Sequence, residues 1–175
     1  MSDIVTDEEL ERYLTLCRNP LRNDAVVASE RAQLFSLPEV TAVGFKDEHT
    51  LLVGTSMISL TDPETKLVHN VGEFIIYLYR QRVGKIWDSG FAFENISGTQ
   101  NGRNNNYHHP HINNREIPGI GKLGILCIQQ GHFHVYQHLR SGEMHLATKL
   151  LIDILNTYNL RGPYLPLDHW PLKGE

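Results

Sequence analysis

The sequence predicts an α+β fold with helices at both ends of one antiparallel sheet. Three observations carry this expectation. A capped amphipathic helix opens the chain, short β-branched and aromatic runs crowd the stretch from Val40 to Phe93, and a strongly amphipathic segment comes late. Strands gathered in one block between helices favour α+β over an alternating α/β arrangement.

Thr6 and Glu9 have the spacing of a capping box, in which each side chain satisfies an orphan N–H of the other residue. Leu10, Tyr13, Leu14 and Cys17 then recur at helical spacing, so Cys17 reads as a core residue. Asn19-Pro20 stops this helix, and a second is expected from Asp24 to Phe35, ending before Leu37-Pro38. Four runs follow: VTAVGF from Val40, LLVGTSMISL from Leu51, EFIIYLY from Glu73 and IWDSGFAF from Ile86. Turn-forming residues separate them, which predicts a four-stranded meander with the third run as an inner strand. The polar stretch Ser97 to Asn106 reads as a loop, and the Gly- and Pro-rich stretch from Tyr107 to Gly131 as irregular except around GILCI. If His132 and His134 lay on a strand, they would share a face. Ala147, Leu150, Leu151, Ile154, Leu155 and Tyr158 trace the core face of a late helix, started by Ser141 or Gly142 and ended by Asn159. Pro163, Pro166 and Pro171 make the tail extended, with Tyr164 and Trp170 as staples. The expected organisation is one domain over 1–175: a helical part (1–38), a sheet (39–96), a loop and active-site segment (97–140), and a late helix with its tail (141–175).

Composition narrows the function classes. The 175 residues carry a formal net charge of -4, with 41% hydrophobic and 21% charged residues. A weakly acidic chain without a Lys/Arg cluster is a poor fit to a phosphate backbone, so no nucleic-acid partner is expected. No apolar run reaches bilayer length, so no membrane partner is expected either. MSDIVTDEELERYL lacks the basic start and apolar core of a secretory signal. Cys17 and Cys127 suggest no disulfide framework, which fits a reducing cytoplasmic location. Seven of the ten histidines (His108, His109, His111, His132, His134, His138 and His145) fall in one short stretch, which marks where chemistry is expected.

The element order, with His109-Pro110-His111 upstream of Cys127, resembles the ubiquitin-conjugating enzyme family. HHPHI is similar to that family's His-Pro-Asn region, and GKLGILCI to the stretch that ends at its nucleophile. HLATKLLIDILNTYN and GPYLPL are similar to its central helix and Pro-Leu turn. The likeness runs from about Val40 onward. His-Pro-His and PYLPLDHW are similar to a bacterial branch found in ubiquitin-like conjugation operons linked to antiphage defence. His111 stands where the eukaryotic pattern has Asn, INNREIPGIG adds length before the cysteine, and the chain stops short of the family's last two helices.

The resemblance implies a UBC-like fold and a transferase. Cys127 would take a ubiquitin-like modifier protein from an activating enzyme as a thioester and pass it to an amine of a target protein, with no cofactor and no metal. Thiolate suits both halves of such an exchange, as nucleophile and as leaving group. On local sequence alone, Ile-Leu-Cys-Ile reads first as buried filler, which would make the chain an inert binding module of the same fold; the His-Pro context and the late helix turn the reading towards a nucleophile. Lys122 and His132 lie near Cys127 in sequence, with no Asp or Glu between Ile117 and Gly142, a balance that favours thiolate. A neutral His111 can donate one N–H to an oxyanion, or it can simply brace its loop. Asn113 or Asn114 could be the donor instead. His109 and Pro110 are assigned to shaping the loop. The histidines together with Cys127 are also zinc-ligand types, but they lack a standard zinc spacing, so they read first as a partner-facing or pH-sensitive surface, with a His/Cys zinc protein as the lesser alternative. A modifier role would require processing after Gly174.

Overall fold

A computed structural model describes residues 5–16, 24–79, 90–102, 105–117, 121–126 and 129–174. Two helices lead, α1 (Asp7–Leu16) and α2 (Asp24–Ser36). The capping box is formed: the Thr6 N–H donates to Glu9 Oε2 at 3.0 Å, and the Glu9 N–H donates to Thr6 Oγ1 at 3.2 Å. Leu10, Tyr13 and Leu14 turn inward, and the Tyr13 hydroxyl donates to the Leu78 carbonyl at 2.8 Å. Cys17 lies outside the described residues.

The strands are β1 (Val40–Asp47), β2 (Thr50–Thr55), β3 (Ile58–Thr61), β4 (Val68–Gly72), β5 (Phe74–Tyr79), β6 (Phe91–Asn95), β7 (Tyr107–His109), β8 (Ile112–Ile117) and β9 (Gly121–Leu126). The main sheet has seven of them in the order β1-β2-β5-β6-β9-β8-β7, every paired neighbour antiparallel. The fold is therefore α+β. The expected meander is present as β1, β2, β5 and β6, but four strands are too few. The run LLVGTSMISL breaks at Ser56-Met57, and its second half pairs with β4 in a separate hairpin. Asp62 closes that hairpin's turn by accepting the Glu64 and Thr65 N–H groups.

A second correction concerns the segment expected to be irregular, which contains β7, β8, β9 and a helix. Its strands lack alternation because β8 presents Asn113, Asn114, Arg115 and Glu116 near the edge of the sheet, where solvated side chains cost little. α3 (Gln129–Ser141) carries His132 and His134 on a helix rather than a strand. Among the described side chains of α3 the buried ones are Val135 and Leu139, one helical turn apart, too few there to stamp a visible period. Gly142, at φ 70°, ends α3 with the Gly142 N–H on the Leu139 carbonyl and the Glu143 N–H on the His138 carbonyl. The late helix α4 (Met144–Leu155) thus begins after this break and stops short of Tyr158.

The inner sheet face packs on the helices through Leu51, Val53, Phe74, Ile76, Phe93, Leu151 and Leu155. Leu52, Tyr77, Ala92 and Leu123 form a smaller cluster on the opposite face. A short 3-10 turn (Leu167–His169) seats Leu167 and Trp170 in the core. His69 Nδ1–H donates to the Trp170 carbonyl at 2.8 Å, and Leu172 bridges to His69, so the tail runs beside β4. Among the described residues, no helix is long and apolar enough to cross a membrane.

Candidate active site

The His-Pro-His turn joins β7 to β8, and β8 folds back on β9 with Ile112 opposite Leu126, Asn113 opposite Ile125 and Asn114 opposite Gly124. Gly124 permits this approach. A Cβ there would sit 2.4 Å from Ile112 Cγ2 and 3.1 Å from the Phe93 carbonyl oxygen, inside contact distance on both sides. The hairpin therefore brings Ile112, the residue after His111, against Leu126, the residue before Cys127. Cys127 itself lies outside the described residues, as does the side chain of His132.

Three imidazoles line up behind this turn, all buried. The Asn95 N–H donates to His108 Nδ1 at 2.9 Å, so the His108 proton sits on Nε2. His109 Nε2–H donates to the Leu155 carbonyl at 3.0 Å, while its Nδ1 accepts the His111 N–H at 3.1 Å. One ring thus ties the last turn of α4 to the backbone of the His-Pro-His turn. His111 Nε2 accepts the Asn159 N–H at 3.2 Å, which leaves the proton of its neutral ring on Nδ1. The Tyr158 ring lies 5.9 Å from the His111 ring. Pro110 offers its carbonyl to the Tyr164 N–H at 2.7 Å, and the Tyr107 and Tyr164 rings sit 5.6 Å apart. The proline-rich tail therefore clamps the turn from outside.

All three rings are held neutral. Burial pushes His108 down to about 4, helped by the nearby Lys122 charge. Burial pushes His109 down to about 3, partly offset by the Leu155 carbonyl, with His111 adding to the depression. His111 is lowered by burial against the opposing pull of its Asn159 contact. A neutral ring with a fixed tautomer can donate a hydrogen bond without bringing a competing charge.

Sequence reasoning placed His109, Pro110 and His111 together, and the structure does the same. Asn113 does not join them. It pairs with Ile125, which packs on the outer-face cluster, whereas Ile112 and Leu126 belong to the inner core. The side chains of Asn113 and Ile112 point to opposite faces of the hairpin. Asn114 is also occupied elsewhere, its Nδ2 donating to the Asn105 carbonyl at 3.1 Å.

Asn95 was missed. Its Nδ2 donates to the Val71 carbonyl and to the His108 carbonyl, both at 3.0 Å, so one buried amide links β4, β6 and β7. A single Asn at the end of an aromatic run leaves no periodic signal. Asn95→Ala takes this amide from the His108 carbonyl and leaves the Val71 carbonyl with the Thr99 hydroxyl as its side-chain donor, and the unfolding free energy from urea titration is expected to fall by about 1–3 kcal/mol.

A cleft of about 460 Å³ opens between α3, α4 and His111. His134 and His138 of α3 line it, with Leu150, Asp153 and Ile154 of α4 and Asn159 beyond. Among the described residues, no three His, Cys, Asp or Glu side chains are grouped to hold a metal ion. Comparison with family models, with curated proteins and with solved structures finds no match to this chain.

Proposed function

We propose that this chain is a ubiquitin-like-protein conjugating enzyme with a UBC-like fold. It accepts a modifier on Cys127 from an activating enzyme and transfers it to an amine of a target protein. The observation that carries the reading is the hairpin register, in which Leu126 pairs with Ile112. Two sequence neighbours, one on each strand, bring the His-Pro-His turn and the segment entering Cys127 to the same end of the sheet. The helix-first order, the β1-β2-β5-β6 meander and the helix α4 after the cysteine agree with it.

In this reading the Cys127 thiolate attacks the thioester carbonyl carbon of the modifier carried by the activating enzyme. The new C–S bond forms as the old one breaks, and the activating enzyme leaves as thiolate. An acceptor amine then attacks the Cys127 thioester, loses a proton to solvent or a neighbouring base, and expels the Cys127 thiolate. Each attack places negative charge on the carbonyl oxygen, and the Nδ1–H of neutral His111 is the fixed donor offered to it. His109 and Pro110 hold that donor in place through Leu155 and Tyr164.

The test is to mix the chain with its activating enzyme, its modifier and ATP and to resolve products without reductant. An adduct that vanishes on adding dithiothreitol is expected. Absence of any adduct, with Cys127 alkylated only after unfolding, would make the chain an inert binding module. His111→Ala is expected to slow transfer to amine about 100-fold, the cost of one oxyanion donor, and His111→Asn to recover most of that. Equal rates in single-turnover discharge for wild type and His111→Ala would reduce His111 to a loop brace.

A further inference from the structure

The cleft between α3 and α4 has an apolar floor made by Val135, Leu150 and Ile154 and a polar end at Asp153. Asp153 is the one carboxylate among the described residues that line it. At about 460 Å³ it falls within the size range of small-molecule sites and outsizes a gap between imperfectly packed helices. Its other polar residues are His111, His134, His138, Thr157 and Asn159, all uncharged when the imidazoles are neutral. His138 Nδ1 engages the Glu143 carboxylate at 2.8 Å. Among the described residues the cation paired with Asp153 is Lys149, whose Nζ lies 2.8 Å from Asp153 Oδ2 one turn earlier on α4. Both partners of that pair are more than half exposed, so displacing Lys149 costs little.

We propose that this cleft binds an alkylammonium group, its hydrocarbon stem on Leu150 and Ile154 and its charged head at Asp153. The argument is one of complementarity: an apolar slot with one acidic end and His111 on its wall fits a chain that is apolar along its length and cationic at its tip. If the conjugation reading holds, on which this identification rests, the group is the lysine-type side chain of the acceptor, and α3 and α4 select it. A carboxylate-tipped chain would meet Asp153 and be turned away.

The experiment follows the ring ¹³Cε1–¹H signals of His134 and His138 in the full chain while hexylamine, hexanol or hexanoate is added. Hexylamine, protonated at neutral pH, is expected to shift both signals saturably at millimolar concentration, and hexanol and hexanoate to do so much more weakly. Asp153→Asn is expected to weaken hexylamine binding about fivefold, as loss of a half-exposed charge pair. Lys149→Gln, which frees the carboxylate, is expected to strengthen it. Both positions are on the solvent side of α4, so folding is not at stake. Hexanol binding as tightly as hexylamine, indifference to Asp153→Asn, or no saturable response overturns the assignment. The same titration on Cys127→Ala separates the two readings. Amine binding there upholds the cleft even if no thioester is ever formed, and a thioester-forming chain that ignores hexylamine overturns the cleft while leaving the conjugation chemistry intact.

Discussion

Cys127→Ala is expected to abolish the modifier adduct entirely, and Cys127→Ser to convert it into one that survives dithiothreitol. The distinction is chemical. A thioester exchanges with a small thiol in the reductant, whereas the oxyester formed by serine does not, because alkoxide is a far poorer leaving group than thiolate. The serine adduct should also form more slowly, since the hydroxyl lacks the thiolate fraction that drives attack. Discharge to amine should fall by orders of magnitude for the same leaving-group reason. Mass spectrometry of the trapped serine adduct would place the modifier on residue 127. A dithiothreitol-sensitive adduct persisting in Cys127→Ala would move the chemistry to another thiol, and Cys17 is the only other one in the chain.

The second large effect concerns acid. His108 and His109 are held near 4 and 3 in the folded chain and return to about 6.5 on unfolding. Their folded values are depressed, so the unfolded chain binds more protons at any pH between. Stability is fully present above about 6.5 and is lost as pH falls from there towards the folded values. Two such rings give a slope approaching about 2.7 kcal/mol per pH unit, and between pH 7 and pH 5 the loss is roughly 3–4 kcal/mol. Urea midpoints measured at both pH values would show it. Carboxylates contribute little in that window: the lowered Glu9 and Asp62 carboxyls start below 5 and are exposed. A stability that is flat from pH 7 to pH 5 would mean that these rings are wetter than their packing implies. Replacing both with Gln should flatten the profile even if it lowers the plateau.

How much of this was readable in advance varies by element. The capping box at Thr6 and Glu9, the meander and α4 were legible because each leaves a local pattern: a spacing, a β-branched run or an apolar stripe. β8 was not, because its polar residues sit near a sheet edge and obey no alternation. α3 was hidden because its inward positions are few and its histidines mimic a loop. In the candidate site, His109, Pro110 and His111 are contiguous and could be seen together. The groups that orient them come from 46 and 48 positions away, as the Leu155 carbonyl and the Asn159 N–H. Backbone groups carry no residue identity, so no inspection of side-chain types could have nominated them.

The tail's seam along β4 has a consequence for synthesis. His69 meets Trp170 across 101 positions, and Asn70 donates its N–H to the Pro171 carbonyl. The β3–β4 hairpin can form early from local contacts, but one flank stays open until the segment around Leu172 has left the ribosome. Until then that flank shows unpaired amides to whatever is nearby, and such nascent edges attract other chains. Translation that stalls before Trp170 should therefore yield a sticky, chaperone-bound intermediate, and the segment from Trp170 to Leu172 is what seals it.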